Sequence, residues 1–232
     1  MSKQFLAVIA VIILAFVGVV AFSGHGNKSG GNNSSATLSN HVEGQGSAGV
    51  TLVEYGDYQC PFCGQYYPTL KQVFTEFSSQ IHFQFRNFPI TSRHPNAFAG
   101  ARAAEAAALQ NKYWEMHDQL YDENYRLQIA QQQGQSYNTW INASDPTTYF
   151  TTYAQQLGLN VAQFKSDFAS SKINDLITAD ENEGTRLGVQ GTPTFYLDGK
   201  QVTIANSVAG FEKVLKAEIA KKQPAATTST TN

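Results

Sequence analysis

Cys60 and Cys63 are the only cysteines in this 232-residue chain, and they stand together as Cys60-Pro61-Phe62-Cys63. A structural zinc site built from four cysteines is therefore excluded, and so is a framework of several disulfides stapling the fold. A metal held by two thiolates would need further ligands that the sequence does not place, so neither a metal nor a cofactor is expected. What remains is a dithiol that can cycle between reduced and oxidised. Residues three apart on a helix have Cβ atoms about 5–6 Å apart, whereas a disulfide wants about 3.5–4.5 Å, so the turn must tighten to close the bond.

The flanking pattern places this pair between a strand and a helix. Val50 to Tyr55 (VTLVEY) reads as a buried strand interrupted by Glu54. Tyr66, Leu70, Val73, Phe74 and Phe77 then recur at helical spacing, with Pro68 expected to kink the helix. Ile81 to Phe88 (IHFQFRNF) alternates as a second strand, so a helical crossover between parallel strands is implied. Thr194 to Leu197 and Gln201 to Ile204 flank Asp198-Gly199-Lys200, a hairpin signal, and Phe211, Val214, Leu215 and Ile219 mark a last amphipathic helix. The halves βαβ and ββα sum to the thioredoxin-like α/β arrangement. Between them, residues 95–188 carry helical periodicity over too long a stretch for a loop, and read as a helical insertion. Trp114 and Phe98 read as core within it.

The two ends differ in character from this middle. Phe5 to Phe22 is eighteen residues without a charge, preceded by Lys3. That run, about 27 Å long as a helix, predicts that residues 1–23 are a transmembrane anchor or a cleaved signal peptide. Either way the rest of the chain is expected outside the cytoplasm, on the periplasmic or extracellular side, where disulfides persist; it would be secreted if cleaved. Residues 24–48 are rich in Gly, Ser and Asn and read as a flexible linker; 49–222 as the folded domain; 223–232 as a disordered tail. The Asn-x-Ser triplets at Asn27, Asn32, Asn33 and Asn142 read as chance occurrences. A formal net charge of −2 gives no reason to expect nucleic acid as a partner.

A helix start suits a reactive thiol. Its free N–H groups and the positive end of the dipole stabilise a thiolate at Cys60, and the thiolate is the nucleophile in disulfide exchange. An ordinary thiol of pKa ~8.5 is only about 3% ionised at pH 7. The dipole supplies roughly 0.3–2 kcal/mol, so any large shift must come from direct N–H and S–H donation to the sulfur. Pro61 suits the first helical turn, where its missing N–H is not needed. Cys60 is expected as the exposed attacking sulfur and Cys63 as the buried resolving one. The competing reading is an inert structural disulfide or two unreactive thiols.

Glu54-Tyr55-Gly56-Asp57-Tyr58-Gln59-Cys60-Pro61, His94-Pro95, Lys112-Tyr113-Trp114-Glu115-Met116-His117-Asp118 and Gly191-Thr192-Pro193-Thr194-Phe195, in this order, resemble the DsbA-type thioredoxin-like family over residues 48–221. The resemblance implies that Pro193 is a cis-proline opposite the cysteines, and that Thr192 lies beside it on an edge where a substrate peptide can bind. It implies that Glu54 assists proton transfer beneath the site, and that Pro61 and Phe62 tune the couple and meet substrate. His94 could neighbour the site, although a residue before the alanine-rich helix needs no such role. Phe62 stands where strongly oxidising members of the family carry His, so their potential of about −120 mV does not transfer.

The function implied is a thiol:disulfide oxidoreductase, donating the Cys60–Cys63 disulfide to unfolded or reduced secreted proteins. Reoxidation would come from a membrane quinone-linked partner that is DsbB-like or VKOR-like. No dimerisation domain is recognisable, so a monomer tethered to the membrane through its N-terminal helix is expected. The alternatives are a disulfide reductase or isomerase, and a non-catalytic binding or assembly protein on the same fold.

Overall fold

The computed structural model describes residues 37–223. The apolar segment, most of the linker and the end of the tail read from sequence lie outside them. Among the described residues no helix is long and apolar enough to cross a membrane.

Five strands form one sheet. They are β1 (His41–Glu43), β2 (Val50–Gly56), β3 (Ile81–Asn87), β4 (Thr194–Leu197) and β5 (Lys200–Val202), in the order β1-β3-β2-β4-β5. β2 and β3 pair in parallel, from Val50 opposite Ile81 to Gly56 opposite Asn87, and α1 (Pro61–Phe77) makes the crossover between them. β4 pairs antiparallel with β2, placing Thr194 opposite Tyr55. Asp198 and Gly199 both take positive φ (48° and 78°) in the two-residue turn to β5, the backbone an Asp-Gly hairpin requires. α7 (Val208–Lys222) closes the chain. The helix α1 continues through Pro68 without interruption.

The insertion comprises α2 (Ala97–Ala108), α3 (Tyr113–Gln132), α4 (Thr147–Gln156), α5 (Val161–Phe168) and α6 (Ser171–Leu187), with a short 3₁₀ turn at Trp140–Asn142. Two apolar clusters hold the molecule together. One lies between the sheet, α1 and α7 and includes Leu52, Val73, Phe77, Phe195 and Phe211. The other fills the insertion around Met116, Leu120, Tyr121, Trp140 and Phe150, and it takes in both cysteines. Trp114 packs against both clusters, while Phe98 sits partly buried at the edge of the second. α6 covers the opposite face of the sheet so closely that a Cβ on Gly184 would lie 2.7 Å from Phe88.

The reading of a linker as far as residue 48 is overturned. His41–Glu43 forms β1, antiparallel to β3. Just before it, Ser39 donates its N–H and hydroxyl to the buried Asp180 carboxylate, at 3.0 and 2.5 Å. His41 Nε2 meets Glu105 at 2.8 Å and stacks on Tyr113. The glycines that resembled a tether are positional instead. Gly44 has φ 93°, and a Cβ there would sit 2.3 Å from the Ile81 carbonyl oxygen.

Candidate active site

β2 ends beside the start of β4, and the chain between β2 and α1 carries the dithiol. Along β2, side chains alternate between faces, so Glu54 lies on the side of Val50 and Leu52, beneath α1. Cys60 is the N-cap of α1 (φ −64°, ψ 123°), Pro61 its first residue, and Cys63 lies in the first turn. Across from them the Thr192–Pro193 peptide is cis. The Cys60 thiol donates to the Thr192 carbonyl oxygen at 3.3 Å. Cys60, Cys63, Pro61, Phe62, Glu54, Thr192 and Pro193 thus gather at one end of the sheet.

Cys60 is not the exposed sulfur that the sequence led us to expect. It is 3% exposed and Cys63 1%, because the Thr192 loop lies over Cys60 and both cysteines sit in the insertion's apolar cluster. Phe62 is instead the exposed residue of the motif, at 62%. It borders an open groove of 260 Å³, together with Tyr66, Thr192, Pro193 and the β4–β5 side.

Both cysteines are free thiols. The Cys63 thiol, by hydrogen bonding to the Cys60 sulfur, is the main cause that lowers the Cys60 pKa to about 6; burial opposes it, and Thr192 and the N–H groups of Cys63 and Phe62 add to the lowering. The Thr192 hydroxyl has no partner among the described residues, leaving it free to turn to a thiolate. Burial pushes Cys63 the other way, well above the usual thiol range, reinforced by its hydrogen bond to Cys60 and by the charges of Cys60 and Glu54. Glu54 is buried and its Oε1 is unpartnered. Burial, with the nearby Cys60 charge, raises its pKa to about 8. The site therefore separates one ready thiolate from one thiol that holds its proton, with a carboxylic acid beneath them.

Three further residues build the site without any local sequence signal. Asp57 Oδ1 accepts the N–H groups of Gln59 and Cys60 at 2.8 and 3.2 Å. Its Oδ2 accepts Ile90 N–H at 2.8 Å and meets His94 Nδ1 at 2.7 Å, so His94 does neighbour the cysteine loop. Asn124 on α3 donates to the carbonyl oxygens of Tyr58 and Cys60, and Gln128 one turn later donates to that of Pro61 at 2.9 Å. Gly64 is needed here, since a Cβ would lie 2.6 Å from Asn124 Oδ1.

The family model for thioredoxin matches residues 36–217. The chain belongs to the thioredoxin family. Among solved structures its fold is similar to BdbD from Bacillus subtilis (TM-score 0.63, 18% identity, covering 77% of this chain and 91% of that one). It is similar also to α-DsbA1 from Wolbachia pipientis (TM-score 0.62, 19% identity, 80% and 94% covered). A thioredoxin-like oxidoreductase from Silicibacter pomeroyi superimposes with a TM-score of 0.60 at 24% identity, covering 80% and 93%. The fold neighbours of this thioredoxin-family chain are thus DsbA-type thiol–disulfide oxidoreductases, and its paired thiols are consistent with that chemistry. Relatives at higher identity carry another name. A Na(+)/H(+) antiporter NhaA 1 from Salinispora arenicola is 35% identical over 161 residues, 69% of this chain. One from Mycolicibacterium vanbaalenii is 34% identical over 161 residues, 68% of the chain. The chain spans only 22% and 23% of those two proteins.

Proposed function

We propose that the protein is an extracytoplasmic thiol:disulfide oxidase that donates the Cys60–Cys63 disulfide to reduced secreted proteins. The observation that carries this reading is the opposed tuning of the two sulfurs, with Cys60 lowered to about 6 and Cys63 raised. A couple whose reduced form contains a stabilised thiolate gives up its disulfide readily.

The residues suggest the sequence of steps. A substrate thiolate, lying in the groove by Phe62 and Thr192–Pro193, attacks the Cys60 sulfur. The Cys60–Cys63 bond breaks, its electron pair goes to Cys63, and that poorly stabilised thiolate takes a proton from Glu54. A second substrate thiolate then attacks the substrate's own sulfur in the mixed disulfide and expels Cys60, which leaves easily because its thiolate is stable. At pH 7 a thiol of pKa about 6 is roughly 90% ionised. Reoxidation would fall to a DsbB-like or VKOR-like quinone-linked membrane protein, and the apolar stretch at residues 5–22 supports a membrane-side location. Cation antiport forms no part of this reading, because the chain spans less than a quarter of the antiporters it resembles.

The test is to mix the oxidised protein with reduced cysteine peptides and to measure the potential of the couple. Peptide oxidation abolished by Cys60→Ser, with a potential nearer about −120 mV than about −270 mV, supports the reading. A potential near the lower figure makes the protein a reductase, and full activity in Cys60→Ser ends the reading.

A further inference from the structure

We infer that His117 and Asp118 on α3 form the solvent end of a proton path, running through a small cavity to Glu54 and Cys63. This inference rests on the disulfide-exchange reading above and adds positioning residues to it.

The cavity has a volume of 30 Å³ and is lined by Glu54, Cys63, Tyr67, His117 and Tyr121, with Asp118 and Lys71 towards the surface. That is room for one or two water molecules. Three polar atoms of its lining are buried and have no hydrogen-bond partner among the described residues: Glu54 Oε1, His117 Nε2 and Tyr121 Oη. Buried polar atoms are rarely left unpaired, and water within reach of all three would satisfy them together. Glu54 and His117 are 1% and 5% exposed, so neither reaches solvent by itself.

The route outwards is also built. His117 Nδ1 lies 3.3 Å from Asp118 Oδ1, and Asp118 Oδ2 meets Lys71 Nζ at 2.5 Å. The Asp118 and Lys71 side chains are 32% and 49% exposed. With the carboxylate accepting from Nδ1–H, the lone pair of the neutral ring is on Nε2, towards the cavity. Tyr58, Phe85, Trp114 and Tyr121 hold the imidazole edge-to-face at 5.0–5.5 Å, fixing its plane.

The groups around the ring favour a neutral resting imidazole. α1 brings Cys63, Tyr67 and Lys71 to this side, and β1 brings His41 and Glu43. β2 contributes Glu54, the loop before α1 contributes Tyr58, and α3 itself adds Tyr113, Asp118 and Tyr121. Burial lowers the pKa of His117; Lys71 and His41 act in the same direction and Asp118 opposes them.

The proton count closes over one catalytic cycle. When the dithiol is reoxidised, Glu54 first passes its proton through water to His117 Nε2, while Nδ1 releases its own proton past Asp118 to solvent. The carboxylate so formed takes the proton of Cys63 as that sulfur closes the disulfide, which leaves Glu54 protonated again. When substrate is oxidised, Cys63 leaves as a thiolate and Glu54 protonates it. His117 returns the Nε2 proton inwards, and Nδ1 regains one from the Asp118 side. One proton leaves and one enters, and the ring ends in its starting tautomer.

The experiment compares wild type, His117→Gln and Asp118→Asn in stopped-flow exchange between the oxidised protein and a reduced peptide, in H₂O and D₂O across pH 5–9. Because Asp118 is on the surface side, its variant carries the test if His117→Gln does not fold. Expected are a ten- to hundred-fold slowing of exchange, a change in its solvent isotope effect, and an unchanged rate and pH midpoint of Cys60 alkylation in the reduced protein. A merely structural role would move alkylation as well. Folded variants with wild-type exchange rates and isotope effects overturn the path while leaving the oxidase reading intact. A wild-type protein that does not exchange with the peptide overturns both.

Discussion

Asn124 donates its side-chain amide to the carbonyl oxygen of Cys60 at 3.0 Å, and to that of Tyr58 at 2.8 Å. The insertion, rather than the sheet, thereby fixes the backbone of the N-cap cysteine. Asn124→Ala leaves the Tyr58 carbonyl oxygen without this donor, while that of Cys60 keeps the N–H of Gly64 at 3.1 Å. The expected loss is about 1–3 kcal/mol of stability, the cost of one orphaned buried group. Urea unfolding of wild type and variant, both reduced, checks it; a loss under 1 kcal/mol contradicts the role given to Asn124.

Glu54 is held protonated by its surroundings, with a pKa of about 8. In the unfolded chain it ionises near 4.3. Between those two values the unfolded state releases a proton that the folded state keeps, so stability contributed by this group falls as pH rises. Glu54→Gln should therefore stabilise the reduced protein little at pH 4 and by several kcal/mol at pH 9. Thermal melts across this range read the effect directly, and a gain independent of pH contradicts it.

For Cys60 the sign is reversed. A thiol lowered to about 6 stabilises the reduced fold fully above the unfolded thiol range, and the gain is lost as pH falls through 6. A disulfide closing so short a loop constrains the unfolded chain little. The reduced protein should accordingly be more stable than the oxidised one at pH 7–8, with the gap narrowing as pH falls towards 6 and closed below it. Paired denaturation curves measure it. Thr192→Val, which removes a hydroxyl near the sulfur, should move the pH midpoint of Cys60 alkylation upwards.

The pair of Asp57 and His94 has its own signature. The hydrogen bond from His94 to Asp57 raises the imidazole pKa, burial opposes it, and the charges of Asp57 and Cys60 add to the rise. Asp57→Asn should bring the His94 titration, followed by NMR, back towards about 6.5. A midpoint that stays raised assigns the rise to Cys60 instead.

What could be read from the sequence was local. The dithiol between β2 and α1, the Asp198-Gly199 turn and the alternation of β3 each leave a mark within a few residues, and each element formed within a residue or two of its expected ends. The resemblance brought Glu54, Thr192 and Pro193 to the same place. What escaped acts over distance. Asn124 reaches back more than sixty residues to the cysteine loop from a buried helix face it shares with Leu120, Tyr121 and Leu127. Asp57 reads as a turn residue until its four partners are seen. Burial of Cys60 depends on the Thr192 loop folding across it, which no spacing near the cysteines announces. β1 escaped because glycines forced by a positive φ or a close approach look, as composition, the same as glycines that merely loosen a chain.

That small strand has a bearing on aggregation. β1 is the outer neighbour of β3, and its three residues cover the backbone of Phe83, Gln84 and Phe85. If proteolysis or truncation removed residues 37–43, the hydrogen-bonding edge of Ile81–Asn87 would open, in a strand carrying Ile81, Phe83 and Phe85. Uncovered apolar edges recruit strands from other molecules. His41–Glu43 is thus a guard against self-association, and a chain shortened past Glu43 should lose solubility before it loses its dithiol chemistry.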